Sequence, residues 1–227
     1  MKTALLIGCG SKFGLNLLRY LLAQDWTVYS ISGSTIDLDC SRLHQKIVDW
    51  KSFSQADLEK FLKTCPAVDL VFFNQNSSAL HPDYFAPNYY TTLELWKQEK
   101  TWNQCYFVSC ILPFHIIHTL GNRCNTNTRV AWMLSSYIYD HSDIGHADYL
   151  GNKYQNYVLM KNFAQHHPAC FFGVNPDNLG TTDTEHNIRS LIDCVESANL
   201  NGQVIKFDGT TDLSFNRFTR DTTLTTV

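Results

Sequence analysis

Apolar residues gather along this chain in short consecutive runs, at Ala4 to Ile7, Val28 to Ile31, Val68 to Phe73, Val130 to Leu134, Phe171 to Val174 and Val204 to Phe207. Short apolar runs without strict alternation are the pattern of strands covered on both faces. Helical spacing fills the intervals: Leu15, Leu18 and Leu22 after Phe13, then Leu58, Phe61 and Leu62, and later Val158 and Phe163 after Tyr149. His115 and His118 sit three apart on a further helix, and another is expected near His186 to Val195. Strands that alternate with helices pair in parallel, because each crossover helix must pack back onto the sheet. The pattern therefore predicts an α/β fold, a doubly wound parallel sheet with helices on both faces, in a single domain over residues 1–227. No repeat, low-complexity tract or linker divides it, and its six prolines are dispersed. In such a sheet ligands bind at the carboxyl ends of the strands, near the point where strand order reverses.

Composition narrows the partners. With 44% hydrophobic and 17% charged residues the chain can bury a continuous core, which argues against disorder. Eighteen Lys plus Arg against 21 Asp plus Glu leave a net charge of −3, so no global basic field recruits nucleic acid or anionic lipid. Any anion must be held locally. The eight cysteines contain no C-x-x-C pair and read as reduced, mostly buried thiols, which suits a reducing compartment. Leu6-Ile7-Gly8-Cys9 after Lys2 has the look of a lipoprotein cleavage box, but the apolar stretch is shorter than the ~7–15 residues of a secretory core. No later run reaches the ~18 residues of a membrane span, so a soluble, cytoplasmic protein without a membrane partner is expected. The nine histidines form no H-E-x-x-H or carboxylate-backed set, and no metal site is expected.

The first strand runs into Gly8-Cys9-Gly10-Ser11-Lys12-Phe13-Gly14 and then into a helix. Glycines let the backbone approach a pyrophosphate, while the free N–H groups and positive end of the helix stabilise its charge. Strand, glycine turn and helix in that order predict a Rossmann-type dinucleotide site. After the second strand, Ser30-Ile31-Ser32-Gly33-Ser34 offers no carboxylate for a ribose 2′-hydroxyl. That favours NADP, with NAD possible, and leaves Ser32 and Lys12 to meet an added phosphate.

Tyr149 and Lys153 stand at i and i+4, neighbours on one helix face. A cation beside a phenol lowers its pKa, making an acid for a carbonyl that receives hydride and a base for an alcohol that loses it. Tyr157 and Lys161 repeat the spacing.

With these residues in place the sequence resembles the short-chain dehydrogenase/reductase family over nearly its whole length. The turn is similar to the family's G-x-x-x-G-x-G at Gly8 and Gly14, with Lys12 in place of the middle glycine. Asp49 follows an apparent third strand at Lys46 to Val48, where the family keeps an adenine-contacting aspartate. Asn74 matches the first residue of the family's Asn-Asn-Ala-Gly segment, and Asn76 stands where a glycine would be. Ser136 lies thirteen residues before Tyr149, the family spacing of catalytic serine to tyrosine, whereas the same count from Tyr157 reaches Ile144. The pair to back is therefore Tyr149 and Lys153. Pro176 and Thr181 resemble the family's Pro-Gly segment with its threonine, Asp177 replacing the glycine, and Asn201 to Gly209 resembles its closing strand.

The resemblance implies an oxidoreductase acting on a small or carrier-bound carbonyl or secondary alcohol. Tyr149 would be the proton donor or acceptor, Lys153 its cationic partner and Ser136 the hydrogen-bond donor to the substrate oxygen. Ser109, forty residues before Tyr149, falls where the family carries a relay asparagine. The cofactor contacts implied are Gly8, Gly10, Ser11, Lys12, Phe13, Gly14, Ser32, Asp49, Asn74, Pro176 and Thr181. A homodimer or homotetramer is implied too, and the short interval after Thr181 implies a shallow pocket or one completed by another chain. Tyr137, Tyr139, His141 and His146 are candidates for the pocket wall. The rival reading is a non-catalytic NAD(P)-binding regulatory or scaffold protein, to which the departures at Lys12, Asn76, Ser109 and Asp177 point.

Overall fold

A computed structural model describes residues 1–49, 53–75, 106–135, 138, 147–176, 184–197, 199–207 and 210–213. Seven strands form one parallel sheet: β1 (Thr3–Ile7), β2 (Thr27–Ser32), β3 (Leu43–Ile47), β4 (Leu70–Phe73), β5 (Arg129–Met133), β6 (Cys170–Asn175) and β7 (Val204–Lys206). Their order is β3-β2-β1-β4-β5-β6-β7, so the chain reverses direction across the sheet between β1 and β4. This is the Rossmann-type doubly wound sheet that the apolar runs predict.

The side-chain period of two in a strand splits the core into two layers. Leu5, Ile7, Val71, Phe73, Val130 and Trp132 face one side, against α2 (Gln55–Thr64), α3 (Leu112–Leu120) and α4 (Ala147–His166). Ala4, Leu6, Leu70, Phe72 and Ala131 face the other, against α1 (Lys12–Ala23) and α5 (Thr184–Ser197). Trp132 anchors the first layer, its ring stacked on Phe73 at 4.6 Å between centroids. Arg123 locks the ends of two helices there, its guanidinium donating to the carbonyls of Leu62, Cys65 and Thr119. Such donors satisfy the last carbonyls of a helix.

Two readings from the sequence need correction. The third strand is not confined to Lys46 to Val48 but runs Leu43–Ile47, half exposed along its length. It is an edge strand whose polar residues blunt it, so it carries no apolar run to be read. Val158 is exposed, not on the core face of α4; Tyr157 and Met160 take that face instead. The described cysteines are free thiols, most of them buried, and burial pushes Cys9, Cys65, Cys110 and Cys124 up to about 12. Among the described residues no helix is long and apolar enough to cross a membrane, and no group of three metal-binding side chains gathers.

Candidate cofactor and active site

Gly8 follows β1 with φ +88°, a left-handed conformation that favours glycine. A Cβ at Gly8 would stand 2.7 Å from the Gln75 amide nitrogen, and one at Gly14 would stand 2.7 Å from the Gly8 carbonyl oxygen. Both contacts are with backbone, so neither can yield. Gly10 differs, since its Cβ would meet only the Ser34 hydroxyl at 3.1 Å. Ser11 caps α1 by accepting from the Gly14 N–H at 3.1 Å. Asn74, at the end of β4, donates to the Gly8 carbonyl at 3.0 Å and to Ser11 Oγ at 2.8 Å. These bonds tie the turn across the β1/β4 junction, where the strand order reverses.

The arrangement fits a dinucleotide. Lys12 and Phe13 begin α1, where helix geometry leaves the first N–H groups without intrahelical acceptors, and the turn beside them packs so closely on itself and on the end of β4 that a Cβ at Gly8 or Gly14 has no room. The Lys12 side chain is exposed. Phe13 is buried against Phe72 and Phe207, with ring centroids 5.8 and 4.9 Å away. Its contribution to the turn is therefore backbone only. Ser32 is also buried, and its hydroxyl donates to the Ser34 carbonyl at 2.5 Å, which shapes the loop instead of presenting a donor for a 2′-phosphate. Asp49, exposed after β3, lines a small cavity of about 160 Å³ with Lys46, Ser54 and Asp57.

Lys153 is the buried charge of the second half of the site. Its Nζ donates to the Met133 carbonyl, the last of β5, at 2.8 Å. Burial lowers its pKa from 10.5 to about 8. The backbone of α4 places Tyr149 one turn earlier on the same helix. The repeated pair lies elsewhere: Tyr157 is in the core, and the Lys161 amine donates to the Gly202 carbonyl at 3.0 Å. Eight residues separate the two lysines, about 12 Å along the helix axis.

Ser109 is buried in a π-helical turn, Phe107–Ile111, that packs against α4 and leads into α3. Single π turns recur at functional sites because they redirect the side chains they carry. Pro176 follows β6, whose last residue, Asn175, is fully buried and donates to Asp212 Oδ2 at 2.7 Å. Ser136, Thr181, Asn76, Asp177, Tyr137, Tyr139, His141 and His146 lie outside the described residues, and so does the phenol of Tyr149. Sequence reasoning missed Gln75, which is buried behind the turn and reaches the π-helical segment.

No family model and no curated protein sequence matches the chain. Solved structures do match in fold. A carbonyl reductase from Pseudomonas aeruginosa superposes with a TM-score of 0.73 at 16% identity, covering 93% of this chain and 99% of that one. The same enzyme in complex with NADP gives 0.73 at 15% identity, with coverage of 93% and 99%. A short chain dehydrogenase family protein from Francisella tularensis gives 0.68 at 14% identity, covering 92% of this chain and 98% of that one. The fold of the chain is that of the short-chain dehydrogenases/reductases over most of its length.

Proposed function

We propose that this chain is a short-chain dehydrogenase/reductase that uses NADP to interconvert a carbonyl and a secondary alcohol on a small or carrier-bound substrate. The observation that carries the reading is Lys153: a buried amine at the carboxyl end of β5, one helical turn beyond Tyr149, in a sheet whose β1/β4 junction carries the glycine turn. The NADP bound to the similar carbonyl reductase supports a nicotinamide cofactor. The lack of a carboxylate among Ser30 to Ser34 supports the phosphorylated form.

The nicotinamide, when bound, supplies or accepts the hydride. The first N–H groups of α1, at Lys12 and Phe13, would hold the pyrophosphate, with the helix dipole favouring its charge. Lys153, cationic below about pH 8, favours the phenolate of Tyr149 and so brings its proton within reach of neutral pH. Tyr149 gives that proton to the substrate oxygen in reduction and takes it back in oxidation. Ser136 donates a hydrogen bond to the same oxygen, where charge develops as the carbonyl is reduced. Ser109 stands in the proton relay behind Lys153.

Titration of nicotinamide fluorescence with the purified protein tests the reading. Saturable binding of NADPH, tighter than that of NADH, is expected. No binding of either would overturn it, and binding with no turnover of any carbonyl in a broad panel would leave the regulatory reading in its place.

A further inference from the structure

The π turn has a cause in the sequence and a support in the fold. At its end, the Leu112 N–H donates to the Phe107 carbonyl, five residues back. The next bond of that series, to the Val108 carbonyl, would come from residue 113, which is proline and has no N–H. Leu112 is spent on Phe107, so the Val108 carbonyl has no intrahelical donor. It is buried, and a buried carbonyl without a donor is costly. Gln75 supplies the donor from outside the helix: its Nε2 lies 3.3 Å from the Val108 oxygen.

We propose that Gln75 is the positioning residue for Ser109, a strut from the end of β4 that holds the π turn open at the carbonyl Pro113 leaves unpaired. The strut starts beside the cofactor turn, since the Gln75 backbone is what a Cβ at Gly8 would strike. It ends one residue before Ser109. On the opposite side the turn is fastened to α4, where the Cys110 thiol donates to Gln155 Oε1 at 3.0 Å, two residues beyond Lys153. Ser109 is thus suspended between the elements that carry the glycine turn and the lysine. Removing the amide of Gln75 frees the Val108 carbonyl to seek another donor, and the turn relaxes with Ser109 on it. The catalytic consequence rests on the oxidoreductase reading, but the mechanical claim does not.

Two substitutions test it in the full-length protein, read by amide hydrogen exchange over residues 107–112. In Gln75→Leu, exchange there should quicken roughly three- to tenfold, the worth of one buried hydrogen bond. In Gln75→Glu the carboxyl can donate to Val108 only when protonated, so protection of the same amides, corrected for intrinsic rate, should be wild-type-like in acid and lost as pH rises. That pH signature separates a hydrogen bond from simple packing, and it survives if Gln75→Leu fails to fold. With 2,3-butanedione and NADPH as probe reactants, kcat should fall in Gln75→Leu while NADPH affinity holds. Unchanged, pH-independent exchange in Gln75→Glu would overturn the strut, and quickened exchange with kcat intact would overturn its positioning of Ser109. A wild-type protein that turns over no carbonyl counts against the oxidoreductase reading alone, because the exchange measurements still decide the strut.

Discussion

At the scale of single residues, Lys153 couples the chemistry to the stability of the fold. Its folded pKa of about 8 lies below the 10.5 of a free lysine, so between those values the unfolded chain binds the extra proton. Its cost is full below about pH 8 and is relieved as pH rises through the window, by ~1.4 kcal/mol per pH unit. In Lys153→Met, which fills similar space without the charge but leaves the Met133 carbonyl without that donor, this cost is absent, so wild type should gain stability relative to the variant from pH 8 upward. Urea unfolding of both proteins from pH 7 to 10 measures this, and a constant gap would show that the amine is not desolvated. Tyr149 is tested by its own oxygen. Tyr149→Phe should cost ~10²–10⁴ in turnover with NADPH affinity intact, as expected for loss of a positioned proton donor. Tyr157→Phe should leave the rate within a few-fold, because Tyr157 is in the core and Lys161 is occupied by Gly202. In sequence, the serine thirteen residues upstream of Tyr149 is what favours that pair. What stayed hidden was Phe13 and Ser32, since a string of letters does not say whether a turn residue offers its backbone or its side chain.

At the scale of elements, the glycine turn and the helix after it act as one unit, and its three glycines are not equivalent. Gly8→Ala and Gly14→Ala each drive a Cβ to 2.7 Å from backbone, while Gly10→Ala meets only the Ser34 hydroxyl. The first two should abolish NADPH binding and lower the melting temperature, and Gly10→Ala should keep the fold, with at most a modest loss of affinity. Equal effects from all three, in fluorescence titration and thermal melts, would contradict this geometry. Buried strands such as β1, β2 and β6 were readable because both faces are covered and each carries apolar residues on both of them. β3 was readable only in part, because an edge strand needs polar residues and has no periodic run. The π turn had a single trace, a proline four residues after Ser109, and nothing in sequence tells a capping proline from one that opens a carbonyl. Gln75 completes that turn from 33 residues away, a contact that only the packed sheet brings about.

At the scale of the whole molecule, one surface among the described residues is unlike the rest of them. Of the eight large apolar residues exposed among those described, five lie at the π turn or on α3 and α4: Tyr106 just before the turn, Ile111, Phe114, Tyr154 and Val158, each 43–53% exposed. Residues 106–120 contain no Lys, Arg, Asp or Glu. On α4, Lys153 and Lys161 are both turned to internal carbonyls, and the exposed positions around Tyr154 and Val158 include Gly151, Gln155 and Asn162. Charge depletion with aromatic enrichment marks the core of an interface. The homo-oligomer that the family resemblance implies would pair this face with its own two-fold copy, which leaves no buried charge to compensate on either side. Ser109 and Lys153 are buried on the π turn and α4, the elements that carry this face. Sedimentation at micromolar concentration should give a dimer whose melting temperature rises with protein concentration. Phe114→Glu combined with Val158→Glu places four carboxylates in the seam of that dimer and should give a monomer. It should melt lower than wild type, independently of concentration, with NADPH affinity retained through the distant β1/β4 junction. A wild-type monomer at tens of micromolar, or a dimer that survives the double substitution, would assign this face to some other partner.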